Sequence, residues 1–236
     1  MKKFKKPFLF SAAMLPVFIP AVVLTAFYQM PLYPADIIAS AINQLGSKTA
    51  LIILSAVQGS LLVAVCCFFG YILADKTGLW IPLYIEKDKL LKALVLSVSA
   101  GLVFSLDYWT FGTCEPLIQS SITGAGLSAA GFGAAVLYGG IVEEILMKLF
   151  LMSLIAFILW KLFFRSTPKN KLPDIIFISA NIISALLFAA GHLPATAAAF
   201  GALTPMLLAR CFLLNGIFGL LFGRLYRRYW KQWESR

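Results

Sequence analysis

Residues 138–152 read Tyr138-Gly-Gly-Ile-Val-Glu-Glu-Ile-Leu-Met-Lys-Leu-Phe-Leu-Met152, an apolar run broken by two adjacent carboxylates, Glu143 and Glu144, and one ammonium, Lys148. In a helix meant for lipid such groups cost about 3 kcal/mol each on insertion scales, so they mark a functional site by default. Lys148 follows Glu144 by four residues, one helical turn. Ammonium and carboxylate therefore share a face and offset each other's insertion cost. A neutralising pair accounts for Glu144 and Lys148 and leaves Glu143 unexplained.

The surrounding chain is membrane-like throughout. Hydrophobic residues make up 61% of the 236 residues and mean hydropathy is +0.88, more apolar surface than a water-soluble domain of this size buries. Apolar runs long enough to cross hydrocarbon, about 20 residues each, occur at 8–28, 50–74, 91–109, 134–160, 174–193 and 206–226. The expected fold is all-α: a polytopic membrane helix bundle of about six transmembrane helices, forming one transmembrane domain over 1–236. The first run follows Lys2, Lys3, Lys5 and Lys6 but is too long for a signal peptide and lacks a small-residue cleavage site, so it reads as a retained anchor.

Basic residues set the orientation, because short loops rich in Lys and Arg stay on the cytoplasmic side. They gather before the first run, at Lys76, Lys87, Lys89 and Lys92, at Lys161, Arg165, Lys169 and Lys171, and in the tail at Arg224, Arg227, Arg228, Lys231 and Arg236. Only Lys48, Lys148 and Arg210 fall elsewhere. Both termini are thus expected in the cytoplasm, with the protein a multi-pass component of the cell membrane. The net charge of +10 then serves topology and attraction to anionic membrane lipids, and it lacks the interleaved basic and aromatic pattern of a nucleic-acid binder.

The four cysteines, Cys66, Cys67, Cys114 and Cys211, form neither a disulfide framework nor a Cys-x-x-Cys metal motif. Gly112, Gly124, Gly126, Gly131 and Gly133 mark 110–133 as the expected flexible loop. Gly219 and Gly223 have the spacing of close helix packing. Trp80, Tyr84, Trp109, Tyr226, Tyr229, Trp230 and Trp233 fall near helix ends, where amphipathic rings anchor at headgroups. Asp107 and Glu115 fall near the outer end of the third run, where water is expected to reach them.

The single histidine also lies in an apolar run, Ser184-Ala-Leu-Leu-Phe-Ala-Ala-Gly-His-Leu-Pro194. A lone helical histidine is by default structural, but depth argues for more. Glu143 lies 18 residues before Lys161 and His192 lies 18 residues after Asp174, which on straight helices is about 27 Å for both. Arg210, 17 residues before Arg227, comes to about 25 Å by the same rise. Carboxylates and imidazole are expected at one level.

Glu143-Glu144-x-x-x-Lys148 followed by Phe188-x-x-x-His192, in a multi-helix membrane protein, resembles the CPBP family, the CAAX prenyl endopeptidase and bacteriocin-processing (Abi) proteins. Gly-Gly-Ile-Val-Glu-Glu, Phe-Ala-Ala-Gly-His-Leu-Pro and Leu214-Asn-Gly-Ile-Phe-Gly-Leu-Leu-Phe-Gly223 are similar to family segments, and the resemblance covers 130–230. Two departures stand out. The family's first motif normally ends in arginine, whereas Lys148 keeps the charge without the bidentate fork. The family also supplies a further histidine and asparagine from a later helix, while this chain ends at Arg236 with no second histidine. Cys211 and Asn215 have the four-residue spacing but lie earlier. Either the chain is shortened relative to its relatives, or Arg210 or Asn215 substitutes, or the site is degenerate.

The resemblance implies amide hydrolysis within the membrane of a peptide or protein substrate, with lipid modification of that substrate left open. Glu143 would be the general base toward water, Glu144 held by Lys148 would position it, and His192 would stabilise the oxyanion. Asn215 is the lesser candidate, with helix packing its default role. The family has been described both as glutamate-dependent and as metalloproteases. Zinc is the metal to consider, and two carboxylates and one histidine make a thin site when catalytic zinc usually takes three protein ligands, so the balance is slightly against a permanently bound metal and zinc stays open. Two other classes compete: a degenerate relative acting as a membrane immunity or scaffold protein, and a small proton-coupled transporter, for which no inverted repeat is visible.

Overall fold

The computed structural model describes residues 2–80, 87–125 and 128–234, with side chains described except at 2–3, 87–90, 92–93, 124–125 and 229–234. Tyr84 of the expected interfacial rings, the basic position Arg236 and Gly126 of the expected loop thus lie outside the described residues, and Tyr229, Trp230, Trp233, Lys2, Lys3, Lys87, Lys89, Lys92, Lys231 and Gly124 are described in backbone alone. All regular structure among the described residues is helical. Among the described residues six helical segments are long and apolar enough to cross a membrane: Phe4–Leu32, Lys48–Thr77, Leu94–Cys114, Ala129–Phe163, Asp174–Phe200 and Pro205–Arg228. Each contains, or overlaps most of, one apolar run of the sequence.

The connections that the sequence leaves as loops are themselves partly helical. Between the first two spans lies a helix over Ala35–Leu45, stopped by Gly46 at φ 81°, a left-handed backbone that glycine adopts without strain. The expected flexible loop is built largely of short helices, Phe111–Cys114, Pro116–Ala125 and Ala129–Ala134. Another, over Leu193–Phe200, forms the last part of the fifth span. At the edge of hydrocarbon, helix is the cheapest way for a connection to satisfy its own backbone polar groups.

In chain order the α-helices are α1 (Lys2–Gln29), α2 (Ala35–Leu45), α3 (Lys48–Thr77), α4 (Lys87–Ser105), α5 (Phe111–Cys114), α6 (Pro116–Ala125), α7 (Ala129–Ala134), α8 (Ser153–Phe163), α9 (Asp174–Gly191), α10 (Leu193–Phe200), α11 (Pro205–Cys211) and α12 (Ile217–Glu234). The chain divides into two compact units, one of Met1–Trp80 with Leu127–Ser184, the other of Ile81–Gly126 with Ala185–Arg236.

In the first unit α3 is the central helix, and small residues let its neighbours approach. A Cβ at Gly59 would stand 2.6 Å from Val22 Cγ1, and one at Gly70 would stand 3.1 Å from the backbone of Leu149. Gly59 therefore admits α1, and Gly70 admits the stretch carrying Lys148. Ser11 Oγ donates to the Ala64 carbonyl at 2.7 Å, while Phe10, Tyr71 and Trp80 cluster where α3 ends. Trp80 thereby serves packing as well as any interfacial anchoring. Phe18, Val63, Cys67, Met152 and Ile176 are buried.

The second unit is held by specific polar contacts as much as by packing. Phe104 of α4 stacks on Phe218 of α12 at 4.4 Å between centroids. Gln119 of α6 donates to the Tyr108 carbonyl at 3.2 Å. Gly219 and Gly223 of α12 are buried.

Candidate active site

The fourth span changes helical type around the carboxylates. Residues Ala135–Val142 and Ile145–Met152 are π-helical, with hydrogen bonds reaching five residues instead of four. Glu143 and Glu144 sit between them in ordinary helical geometry, at φ −64°, ψ −35° and φ −64°, ψ −38°. The backbone N–H of Glu143 accordingly donates to the Tyr138 carbonyl, five residues back. Gly139 and Gly140 supply low helix propensity where the first wide turn forms, and π turns concentrate at functional positions. Wider turns advance less per residue, so the count from Lys161 to Glu143 overstates depth wherever it crosses 145–152.

This local geometry sorts the two carboxylates. A Cβ placed on Gly139 would meet nothing nearer than Glu143 Oε2 at 4.0 Å, so the Glu143 carboxylate leans back one turn over Gly139, and Tyr138 lies within its electrostatic reach. Glu144 interacts coulombically with Lys148, one turn forward. Both glutamates are half-buried, whereas Lys148 is 1% exposed. The π stretch that bears Lys148 packs on α3, which explains how an ammonium becomes one of the most deeply buried side chains of the chain. The sequence places Glu144 and Lys148 on one face, and the structure keeps them as neighbours.

His192 belongs to the second unit and does not lie inside a helix. It stands at the joint after α9, at φ −85°, ψ −12°, directly before α10 with its Pro194. Its N–H donates to the Ala189 carbonyl at 3.1 Å, its Nδ1 is 2.8 Å from the Phe188 carbonyl oxygen, and its ring meets Phe188 edge-on at 4.6 Å. A carbonyl only accepts, so Nδ1 carries the proton, and in the neutral ring the lone pair is on Nε2. Donation to an oxyanion from Nε2 therefore requires the imidazolium.

Asn215 lies in a third π-helical stretch, Phe212–Gly216. Its Nδ2 donates to the Cys211 carbonyl at 3.1 Å and approaches Cys211 Sγ at 3.7 Å. Cys211 is buried, and its Sγ donates to the Ala189 carbonyl at 3.1 Å. That carbonyl is also the acceptor of the His192 N–H, so Cys211 and His192 meet on one oxygen. The four-residue Cys211–Asn215 spacing thus ties the sixth span to the end of α9.

Asp107 is a correction to the sequence reading. It is 6% exposed, out of reach of bulk water, and carries a two-pronged ion pair from Arg210. The signal was present: an arginine in an apolar run demands an acid, and Asp107 is the acid at the end of another run.

Within either unit no three His, Cys, Asp or Glu side chains among the described residues are grouped to hold a metal ion. No chemical step is derived through a metal.

A family model described as Rce1-like, type II CAAX prenyl endopeptidase Rce1-like, matches residues 125–234. This segment is similar to that family. The Rce1-like segment contains Glu143, Glu144, Lys148, His192, Cys211 and Asn215. No curated protein and no solved structure matches the chain significantly. The family supports a membrane hydrolase of the CAAX-protease type acting on a peptide or protein, and with six apolar helices the chain is a multi-pass membrane protein.

Proposed function

We propose that the chain is an intramembrane endopeptidase in which Glu143 activates water for attack on a peptide bond. The observation that carries this reading is the division of labour between adjacent carboxylates inside the Rce1-like segment. One leans over Gly139, and the other is engaged by buried Lys148. A side chain already committed to an ammonium is a poor proton acceptor, so Glu144 holds position and Glu143 takes the proton.

In the proposed reaction, water adds its oxygen to the scissile carbonyl carbon while Glu143 takes one proton. The carbonyl π electrons move to oxygen and form the oxyanion. As the C–N bond breaks, the amine nitrogen takes the proton back from Glu143, leaving an acid and an amine. His192 serves this step in one of two protonation states: its neutral Nε2 accepts from the attacking water, or its cationic form donates to the oxyanion. Asn215 supports the His192 segment through Cys211. Lipid modification of the substrate fits a family named for prenyl endopeptidases, and both termini facing the cytoplasm fits the distribution of basic residues.

The experiment is cleavage of a co-expressed prenylated peptide substrate. Glu143→Gln abolishes processing while membrane insertion is kept. Undiminished processing would remove Glu143 as the base.

A further inference from the structure

The first unit carries a group of cations that the reaction does not use. Lys76 lies in the last turn of α3 and Lys161 in the last turn of α8, and these two helices pack together. Both ammoniums turn to one ring: Lys76 Nζ is 5.3 Å and Lys161 Nζ 5.6 Å from the Phe157 centroid. Lys161 also lies 3.8 Å over Trp160. The Trp160 indole N–H donates to the Thr167 carbonyl at 3.0 Å, folding the connection back so that Lys169 reaches the carbonyl of Asp75 beside Lys76.

Cations in a last helical turn are favoured by the helix dipole, and a charge-rich loop is a topology signal. Neither reason explains why two like charges converge on one ring. Among the described residues Lys76, Lys161 and Lys169 meet rings and carbonyls; of the acids that flank these helix ends in sequence, Asp75, Glu86, Asp88 and Asp174, Glu86 and the side chain of Asp88 lie outside the described residues. Rings and carbonyls fix the direction of an ammonium without neutralising it. Among the described residues the result is a preorganised set of positive charges.

The position of the set says which anion. It lies where two membrane-spanning helices end, beside Trp160 and next to apolar side chains exposed along the last turns of α8, Ile158, Leu162 and Phe163. An anion that belongs there has a phosphate at the level of the lysines and hydrocarbon running down α8. We propose that the corner between the ends of α3 and α8 binds the headgroup phosphate of an anionic phospholipid, held by Lys76, Lys161 and Lys169, with its acyl chains along Ile158, Leu162 and Phe163.

The test is native mass spectrometry of the full chain released from bilayers of phosphatidylcholine containing phosphatidylglycerol. The wild-type chain retains phosphatidylglycerol in preference to phosphatidylcholine. The pair Lys76→Gln and Lys161→Gln lowers that preference by about fivefold per lysine removed. Lys5→Gln with Lys6→Gln removes equal charge elsewhere and leaves it unchanged, and Lys161→Arg keeps it. Should the double exchange unfold the chain, single Lys161→Gln decides, with helix content checked by circular dichroism. The proposal is overturned if the wild type shows no preference or if the Lys5 and Lys6 variant loses as much. Displacement of the lipid by inorganic phosphate overturns it too, since that marks a site for a free anion.

Discussion

Arg210 grips Asp107 across 103 residues of sequence, its Nε 3.0 and 2.9 Å from Oδ1 and Oδ2 and its Nη2 2.6 Å from Oδ2. The acid is buried, and the guanidinium keeps about a quarter of its surface exposed. The pair therefore joins the end of the third span to the start of the sixth, one residue before Cys211. Its planar fork is suited to this task in a way that lysine's point charge is not.

Breaking that pair should destabilise the second unit. Asp107→Asn leaves the guanidinium facing a neutral amide and costs about 3 kcal/mol, the scale for removing one partner of a buried pair. Arg210→Lys, with the charge kept and the fork lost, costs less. Thermal unfolding in detergent micelles measures both, and equal melting temperatures for wild type and Asp107→Asn would contradict the structural role.

The two carboxylates should respond differently to the same chemical change. Glu143→Gln lowers kcat by about 10²- to 10⁴-fold, the range for loss of a general base, with little effect on folding. Glu144→Gln also disturbs stability, because it leaves Lys148 buried without its countercharge. Lys148→Arg tests the family's own residue type at that position and retains activity, while Lys148→Met does not. Rates and melting temperatures measured on the same preparations separate these outcomes.

Gly70 faces the backbone of Leu149, and a methyl group there cannot be accommodated by rotating a side chain. Gly70→Ala pushes α3 from the stretch bearing Lys148 and costs about 1–3 kcal/mol, as overpacking does. Activity falls with it, since Glu144 depends on Lys148. Gly101→Ala, at a site with nothing within 4 Å of the added carbon, is the matched control and leaves both properties near wild type.

Cys211 and His192 share the Ala189 carbonyl, so the thiol should matter to the histidine without touching substrate. Cys211→Ala lowers stability by about 1 kcal/mol, one hydrogen bond's worth. It also changes the pH profile of the rate, a readout that a merely structural loss does not move. Cys211→Ser, which still donates, restores the profile.

Removing metal is expected to leave the rate unchanged, because the proposed step needs only Glu143 as base; Glu143, Glu144 and His192 are the donors that would hold zinc if it is resident. Dialysis against a strong chelator followed by single-turnover assay measures this. Loss of activity that zinc alone restores would reverse the assignment.

The membrane spans were legible because twenty apolar residues in a row leave few alternatives in water or lipid. Glu143, Glu144 and Lys148 were legible for the opposite reason: charge in such a run is expensive enough to be conspicuous. His192 stood out as the single imidazole, yet its exit from the helix was hidden, since Gly191 and Pro194 are both compatible with a continuing apolar run. The π turns were equally hidden, because a helix that gains one residue per turn keeps the same hydrophobic pattern over a short stretch. Asp107 was misplaced because position near a span's end says nothing about burial.

The sequence by itself determined that this is a multi-pass all-helical membrane protein with two adjacent acids in its fourth span and a resemblance to prenyl endopeptidases. Tertiary structure alone decided that Lys148 is buried where its helix packs on α3, and that Arg210 belongs to Asp107. Hydropathy is a sum over neighbours along the chain and survives any rearrangement. A partner is a matter of direction and distance between residues far apart in sequence, which only packing sets.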